Sequence, residues 1–269
     1  MKLTLYQIDA FASEVFRGNP AAIVPLEQWL DDATMQAIAA ENNLAETAFI
    51  VREPSGWRIR WFTPAIEADL CGHATLASGW LLMERLKTGS GSVTFASRSG
   101  ALTVTQADGG RLQLEFPSRP ATPLETPAAL VEGLGARPLE TLKARDVMAV
   151  FGSEDEVLAL KPRFDRIADV DAIGVIATAP GRDVDFVSRF FAPRAGINED
   201  PVTGSSHCTL IPYWAQRLGR TTLRARQVSP RGGELWCALQ GERVLIAGNA
   251  TLYLEGTIEV PAAVAAARG

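Results

Sequence analysis

The chain has 269 residues, 47% of them hydrophobic, and its 26 basic and 31 acidic residues give a net charge of −5. This length supplies a sizeable core in one large domain or two medium ones. No basic block stands out, so we expect neither nucleic acid nor an anionic membrane surface as a partner. No stretch reaches about 20 apolar residues and no signal-peptide pattern opens the chain, so we expect a cytoplasmic protein without a membrane span.

Alternating and apolar runs predict strands along the first part of the chain. These predicted strands are 3–8, 21–24, 46–51, 57–62, 93–96, 102–105 and 112–116. Residues 31–42 predict a helix that begins at two aspartates, which suit the positive end of its dipole. Residues 117–127 are rich in proline, threonine and small residues, so we interpret them as a linker or crossover.

The second part of the chain repeats this style. Its predicted strands are 173–177, 185–191, 223–228, 234–239, 243–247 and 251–260. No regular alternation of strand and helix runs through the chain, which argues against a doubly wound sheet. We expect an N-terminal half at 1–116, a linker at 117–127 and a C-terminal half at 128–269. The last strand is a candidate to cross back to the N-terminal half.

Two segments of helical length are apolar on nearly all faces. One runs over 73–86 and the other over 206–218, where Pro212 is expected either to kink the helix or to lie in its first turn. A helix that is apolar all round has to be buried. The predicted fold is therefore α+β, with two pseudo-symmetric halves that each wrap a curved mixed sheet around one central buried helix.

Cysteine and histidine usage argues against disulfides and against a metal centre. Cys71, Cys208 and Cys237 are an odd number at wide spacing, which fits a reducing compartment. The two histidines are His73 and His207, and no CxxC or HExxH motif occurs, so we expect no metal. The absence of GxGxxG and GxxxxGK[ST] motifs argues against a dinucleotide fold and a P-loop.

The approaches to the two buried helices are related. Residues 60–64 (Arg-Trp-Phe-Thr-Pro) lead to a turn at Gly72, and residues 189–193 (Arg-Phe-Phe-Ala-Pro) lead to a turn at Gly204. A helix N-terminus presents unpaired N–H groups and a positive dipole end, and glycine permits close approach of a ligand. Two such ends facing each other would bind a carboxylate and stabilise a developing anion. The alternative is that both glycines only begin buried helices.

Six motifs follow one another along the chain: 17–24 (RGNPAAIV), 43–49 (NLAETAF), 69–77 (DLCGHATLA), 199–207 (EDPVTGSSH), 229–233 (SPRGG) and 248–250 (GNA). Together and in this order they resemble the PhzF (phenazine biosynthesis-like) family over essentially the whole chain. The resemblance implies a diaminopimelate-epimerase-like fold with a cleft between its halves, a homodimer and no cofactor. It also implies an isomerase that moves a proton within a small cyclic amino acid, dihydro-3-hydroxyanthranilate in the founding activity.

The resemblance assigns catalysis to Glu46, His73, Asp200 and Ser205, and substrate binding to Gly72, Gly204, Asn19, Cys71 and Arg231. Glu46 is the residue that takes and returns the proton, and its apolar neighbours would raise its pKa toward neutrality. The structural alternative is a strand glutamate that faces water, and we favour catalysis. We predict a cofactor-independent isomerase acting on a small carboxylate-bearing molecule, without committing to the founding substrate.

Structural alternatives stay open for the other residues. Asp200 before a proline is also typical of a cap or turn, and Ser205 of a plain N-cap. Arg231 either reaches a substrate carboxylate or braces a turn. His207 falls about one turn into the second buried helix, so we interpret it as structural.

Cys71 supports the main rival function. Amino-acid epimerases related to this family use two cysteines, one at each glycine turn, but the second turn here carries Thr203. A symmetric two-base reaction is therefore disfavoured, while an epimerase or racemase with Cys71 as one base stays open. A non-catalytic small-molecule-binding protein is a second alternative. A serine hydrolase is the weakest, because residues 204–207 (Gly-Ser-Ser-His) form no GxSxG elbow and adjacent helix residues do not face each other.

Overall fold

The computed structural model describes residues 1–261, which form two compact units. Unit 1 contains Met1–Phe16, Pro20–Leu114 and the chain from Asn249 onward, and unit 2 contains Arg17–Asn19 and Glu115–Gly248. The division predicted at 117–127 stays a prediction. In the described part of the chain, no helix is both long enough and apolar enough to cross a membrane.

The predicted strands and the three predicted helices are present, and within residues 1–261 the structure adds five short strands and three short α-helices. In the first part of the chain they are β1 (Lys2–Ala10), β2 (Asn19–Leu26), α1 (Asp32–Asn42), β3 (Glu46–Glu53), β4 (Gly56–Phe62), β5 (Glu67–Ala68), α2 (Gly72–Trp80), β6 (Ser92–Ser97), β7 (Gly100–Gln106) and β8 (Leu112–Pro117). They continue with β9 (Thr122–Pro123), α3 (Ala128–Leu134), β10 (Glu140–Lys143), β11 (Val147–Val150), α4 (Glu154–Ala159), α5 (Phe164–Ile167), β12 (Val175–Pro180), β13 (Phe186–Ala192), β14 (Ile197–Asp200), α6 (Gly204–Leu218), β15 (Thr222–Gln227), β16 (Gly233–Gln240), β17 (Arg243–Gly248) and β18 (Ala250–Glu259). The added strands are β5, β9, β10, β11 and β14.

The two units repeat one order of strand pairings. In unit 1, β2 pairs parallel with β3, β3 antiparallel with β4, and β4 antiparallel with β5 and parallel with β6, after which β6 and β7 pair antiparallel. In unit 2, β11, β12, β13, β14, β15 and β16 pair with one another in the same sequence of directions. This confirms the two pseudo-symmetric halves of a mixed α+β fold.

The repeated arginines have the same structural role in both units. Arg60 of β4 donates to Glu67 of β5 from Nε at 2.7 Å and from Nη2 at 2.8 Å. Arg189 of β13 donates to Glu199 of β14 from Nε at 2.8 Å and from Nη2 at 2.9 Å. Such two-pronged pairs fix both the distance and the orientation of the strands that carry them. They hold the short strand that leads into each central helix.

Helix α2 is the central helix of unit 1. It packs against β1, β3 and β7, and every residue of 73–79 is buried. A π-helical turn at Leu81–Arg85 continues it, so the helix predicted at 73–86 is present. Gly79 allows the close approach to β7, because a Cβ atom there would lie 2.7 Å from Cβ of Val104.

Helix α6 is the central helix of unit 2 and packs against β15, β16 and β17. Pro212 lies inside the helix, so of the two predicted alternatives the first-turn position was wrong. Proline has no N–H, which deprives the carbonyl of Cys208, four residues earlier, of its helical donor. The backbone N–H of Arg119 donates to that carbonyl at 2.8 Å instead. A segment outside the helix therefore compensates for the proline.

Unit 2 also contains three short helices, α3, α4 and α5, that the sequence analysis did not predict. Alternate residues of β12 (Val175, Ala177 and Ala179) share a hydrophobic cluster with residues of these helices. The intervening Thr178 accepts a hydrogen bond from Nε1 of Trp214 in α6 at 3.0 Å. Because successive strand residues point to opposite faces, this sheet is covered by helices on both sides.

The contact at Gly79 yields a stability prediction. Gly79→Ala should lower the free energy of unfolding by about 1 to 3 kcal/mol, because overpacking forces the Val104 side chain or the helix to move. Urea unfolding followed by circular dichroism measures the change. Gly256→Ala in β18 is the matched control, since a Cβ there meets Leu254 at an ordinary 3.5 Å. Equal stabilities of the two variants would contradict the prediction.

Candidate active site

Three predicted site residues meet at the start of α2 in unit 1. Nε2 of His73 lies 3.3 Å from Oε2 of Glu46, and Nδ1 of His73 lies 3.5 Å from Sγ of Cys71. The His73 side chain is 7% exposed and that of Glu46 is 14% exposed. A carboxylate, an imidazole and a thiol therefore share one nearly enclosed place.

The local fold explains how these side chains meet. Glu46 is the first residue of β3 and pairs with Ala21 of β2. Cys71 is the N-cap residue of α2, and its side chain makes no capping hydrogen bond to the helix. The N–H groups of a first turn have no partners within their own helix. The positive end of α2 therefore lies beside the Glu46 carboxylate and favours negative charge there.

Burial keeps the His73 imidazole neutral at pH 7. Loss of solvent lowers the pKa of His73 to about 3, although a hydrogen bond to the Pro20 carbonyl opposes this shift. The 3.3 Å contact with Glu46 has the geometry of an ion pair, but full burial of the ring argues against its positive form. A neutral ring has one N–H and one lone pair, and the Pro20 carbonyl takes the N–H, so the other ring nitrogen can accept a proton from a reacting group.

The same three residues have the donor atoms of a metal site. One atom each from Glu46, Cys71 and His73 lie within 4.8 Å of one another. Oxygen, nitrogen and sulfur donors of this kind suit Zn²⁺. The expectation that the protein works without a metal stays a prediction.

A second group of predicted site residues lies at the start of α6 in unit 2. Asn19 donates from Nδ2 to Oδ1 of Asp200 at 2.8 Å, and Thr203 donates from Oγ1 to Oδ2. Gln227 donates from Nε2 to the Asp200 carbonyl at 2.7 Å and accepts from the Thr203 N–H at 2.9 Å. Asn19, predicted to bind substrate, therefore holds the Asp200 carboxylate. This network fixes the approach to the second glycine turn.

Asp200 is poised to titrate near neutral pH. Burial raises its pKa to about 6, while the hydrogen bonds from Thr203 and Asn19 act in the opposite direction. Both donors stabilise the charged form, so the removal of solvent is the larger effect. A carboxyl group with such a pKa can exchange a proton under physiological conditions.

Ser205 is the second residue of α6, and the N-cap position belongs to Thr203, so the plain N-cap alternative for Ser205 was wrong. Its Oγ accepts a hydrogen bond from Nη2 of Arg145 at 2.9 Å. The same guanidinium binds the carboxylate of Asp146 through Nε and Nη2, the latter at 2.7 Å. Because Ser205 accepts from Arg145, its own proton can be donated to another group.

His207 has a structural contact. Its Nδ1 lies 2.7 Å from the carbonyl of Thr203, and in unit 1 the hydroxyl of Thr75 donates to the Cys71 carbonyl in the same way at 2.5 Å. Ser206 also donates to the Thr203 carbonyl and lies 3.4 Å from Nδ1 of His207, closer than helix spacing led us to expect. Both side chains are fully buried and share one acceptor, which leaves no activated serine.

Arg231 contacts two backbone carbonyls. It donates from Nε to the Gly18 carbonyl at 2.8 Å and from Nη2 to the Arg17 carbonyl at 2.9 Å. These bonds support the turn-bracing interpretation. Its role toward a substrate carboxylate stays a prediction.

The sequence analysis missed four residues of the second group: Arg145, Asp146, Thr203 and Gln227. The charged pair at 145–146 directly before the apolar run 147–150 was a usable signal, because a charge beside a buried strand needs a partner. Gln227 closes a predicted strand and has no comparable signal.

The strand registers show which positions of the two units correspond. Thr47 pairs with Phe62 in unit 1, and Val175 pairs with Phe191 in unit 2, so Thr47 and Val175 are corresponding positions. The residues directly before them, Glu46 and Gly174, therefore correspond as well. Counting back from the two helix starts, Cys71 and His73 correspond to Thr203 and Ser205. The carboxylate, thiol and imidazole of unit 1 thus have no copies in unit 2.

Comparisons with known proteins identify the family. The family model described as "Phenazine biosynthesis-like protein" matches residues 8–256. The chain belongs to the PhzF family. An uncharacterised isomerase of Pseudomonas aeruginosa is 50% identical over 260 residues, which cover 97% of this chain and 100% of that protein. A PhzF-family crystal structure from Enterococcus faecalis has a TM-score of 0.94 at 46% identity, covering 97% of this chain and 100% of that one.

The PhzF fold extends to epimerases. A hydroxyproline epimerase structure from Agrobacterium vitis has a TM-score of 0.60 at 10% identity and covers 96% of this chain and 92% of that one, which shows a shared fold. Family membership and the isomerases among its relatives identify this PhzF protein as an enzyme of the isomerase kind.

The raised pKa of Asp200 yields a pH prediction. Native Asp200 holds its proton up to about pH 6, whereas the unfolded chain loses it near 3.8, so the native state loses stability as the pH rises through this range. Relative to Asp200→Asn, which does not titrate there, the wild type should lose about 3 kcal/mol of unfolding free energy between pH 4 and 7. Urea unfolding at steps of pH measures the difference, and a constant difference between the two proteins would contradict the assignment.

Proposed function

We propose that this enzyme is a cofactor-independent isomerase in which Glu46 moves a proton within a small carboxylate-bearing substrate. One observation carries the proposal: Glu46 lies 3.3 Å from the buried His73 at the N-terminus of α2, and the corresponding place in unit 2 is Gly174. The repeat supplies no second carboxylate at the corresponding position, so in this proposal Glu46 both removes the proton and returns it. This distinguishes the arrangement from a symmetric pair of bases.

The proposed reaction uses the groups in sequence. The Glu46 carboxylate removes a proton from a carbon of the substrate, and the electron pair left behind shifts toward an acceptor group of the substrate. The N–H groups at the Gly72 turn bind carboxylate and stabilise the developing negative charge, and those at the Gly204 turn of unit 2 are proposed to bind carboxylate by the same means. Glu46 then returns the proton to a different carbon, which restores its own charge and completes the isomerisation.

The remaining predicted residues act as helpers in this proposal. The neutral His73 donates its one N–H to the Pro20 carbonyl, so its remaining ring nitrogen can accept a proton from the substrate or from the carboxyl group of Glu46. Ser205 donates its hydroxyl proton, and Asp200 exchanges a proton near pH 6. Family membership further supports a homodimer in the cytoplasm that needs no cofactor.

An epimerase reaction is the second candidate, favoured by the position of Cys71. Its thiol lies 3.5 Å from Nδ1 of His73, within the same group as Glu46. The matching residue of unit 2 is Thr203, which supplies no second thiol. A one-base epimerase would therefore use Cys71 together with Glu46.

Two substitutions separate these candidates. Glu46→Gln keeps the shape of the side chain but cannot accept the proton, so solvent deuterium exchange into small carboxylate-bearing substrates should fall at least about 100-fold. Cys71→Ser should change the rate by less than about 3-fold, because the thiol is a bystander in the isomerase reaction. Mass spectrometry of a panel of cyclic and acyclic amino acids measures the exchange.

The reverse pattern would overturn the isomerase assignment. Loss of exchange in Cys71→Ser with retention in Glu46→Gln identifies the epimerase. An absence of exchange with every acid tested, in a wild type that binds those acids, identifies a binding protein instead.

Gly204 tests the role of the helix start. A Cβ atom at Gly204 meets nothing within 4 Å, so Gly204→Ala should fold with unchanged stability or gain up to about 1 kcal/mol from helix propensity. The added methyl group should nevertheless block the close approach of a carboxylate and lower the exchange rate about 10-fold or more. Thermal unfolding and deuterium exchange on one preparation separate the two effects. Full activity would show that this glycine only begins the helix.

A further inference from the structure

A cavity of about 400 Å³ lies in unit 2, beside the Arg145 guanidinium. It is lined by Lys143, Arg145, Asp171, Ala172, Ile173, Arg194 and Ala195. Three of these side chains are cationic: Lys143 and Arg145 belong to the end of β10 and its connection to β11, and Arg194 to the turn after β13. Three like charges around one cavity repel one another unless anionic groups compensate them.

The Arg145 guanidinium is held in a fixed orientation between two partners. It binds the Asp146 carboxylate, whose side chain is only 1% exposed, and it donates to Oγ of Ser205 at 2.9 Å. Both partners are on its Nε and Nη2 atoms. Within residues 1–261, no hydrogen-bond partner of its Nη1 group is found, and a guanidinium has five N–H donors. The edge of Arg145 that bears Nη1 is therefore available to the cavity it lines.

The other two cations add positive charge to the cavity. Arg194 is anchored from Nη1 to the carbonyl of Val170 at 3.1 Å. Lys143 lies 3.1 Å from Asp171, a carboxylate that is 96% exposed and so screens it weakly. With Asp146 included, three cations face two carboxylates, which leaves the cavity positive.

The internal repeat gives an independent reason to connect this cavity with the reaction. Ala22 pairs with Thr47 in unit 1, and Val147 pairs with Val175 in unit 2, so Ala22 and Val147 are corresponding positions. Two residues before them lie Pro20 in unit 1 and Arg145 in unit 2, which therefore also correspond. The Pro20 carbonyl bonds to His73, and the Arg145 guanidinium bonds to Ser205, the counterpart of His73. At this repeated position, unit 2 therefore has a guanidinium beside the first turn of α6, whereas unit 1 has only a backbone carbonyl beside the first turn of α2.

We propose that the cavity lined by Lys143, Arg145 and Arg194 is an anion-binding subsite for a carboxylate or phosphate group of the substrate. The substrate is then a small acid with two anionic groups, one near the N–H groups of Gly204 and Ser205 and one in this cavity. A group on the Nη1 side of the guanidinium lies within about 8 Å of Ser205 Oγ, a span that small dicarboxylic acids reach. This inference rests on the proposed function for the identity of the occupant.

Calorimetric titration with succinate, inorganic phosphate and acetate, at constant ionic strength, tests the subsite. The two dianions should bind the wild type in the millimolar range, and acetate at least 5-fold more weakly. Lys143→Gln and Arg194→Gln should each weaken dianion binding 3-fold or more. Arg58→Gln is the matched control, because it removes an exposed arginine of unit 1 and should leave binding unchanged. Circular dichroism verifies that each variant is folded.

The same titration on Glu46→Gln separates the subsite from the proposed function. Binding that survives in Glu46→Gln and falls in Lys143→Gln and Arg194→Gln supports the subsite, whether or not exchange activity is ever found. Preference for succinate identifies a carboxylate as the second group, and preference for phosphate identifies a phosphate. Two results would overturn the subsite. One is equal dianion affinity in the wild type, Lys143→Gln and Arg194→Gln. The other is no binding of either dianion at concentrations 20-fold above the expected dissociation constant.

Discussion

The structure depends on the burial of two helix starts. Each central helix begins at a glycine, after an N-cap residue whose side chain makes no capping bond to the helix. A first turn left this way has N–H groups and a positive dipole end that need a negative partner. The strands around each helix place side chains at that end, and the chemistry proposed for this enzyme follows from which side chains they are.

Duplication supplies two copies of this arrangement, and the copies have diverged. Unit 1 places an acid, an imidazole and a thiol at its helix start through Glu46, His73 and Cys71. Unit 2 places a serine held by an arginine there, together with a buried aspartate. The shared frame, including the paired arginines Arg60 and Arg189, keeps the backbone of both copies alike. Different side chains on one frame are the basis for proposing proton transfer at one helix start and anion binding at the other.

Burial also sets the protonation states on which this division depends. Loss of solvent holds His73 neutral and moves the pKa of Asp200 to about 6. A charged imidazole beside Glu46 would bind the carboxylate tightly and weaken it as a base, whereas a neutral ring leaves it able to accept a proton. The same removal of water strengthens every interaction between a substrate anion and the surrounding donors.

The sequence by itself determined the fold class and the two buried helices, because an apolar helix has to be buried and the pattern occurs twice. The assignment of Glu46 and His73 to one site came from the resemblance to the family. Only the tertiary structure decided that Asn19 holds Asp200, that Pro212 is compensated by Arg119, and that Arg145 reaches Ser205. Each of those contacts joins residues 60 or more positions apart. Such contacts depend on how distant segments pack together, whereas local periodicity shows only which face of an element is buried.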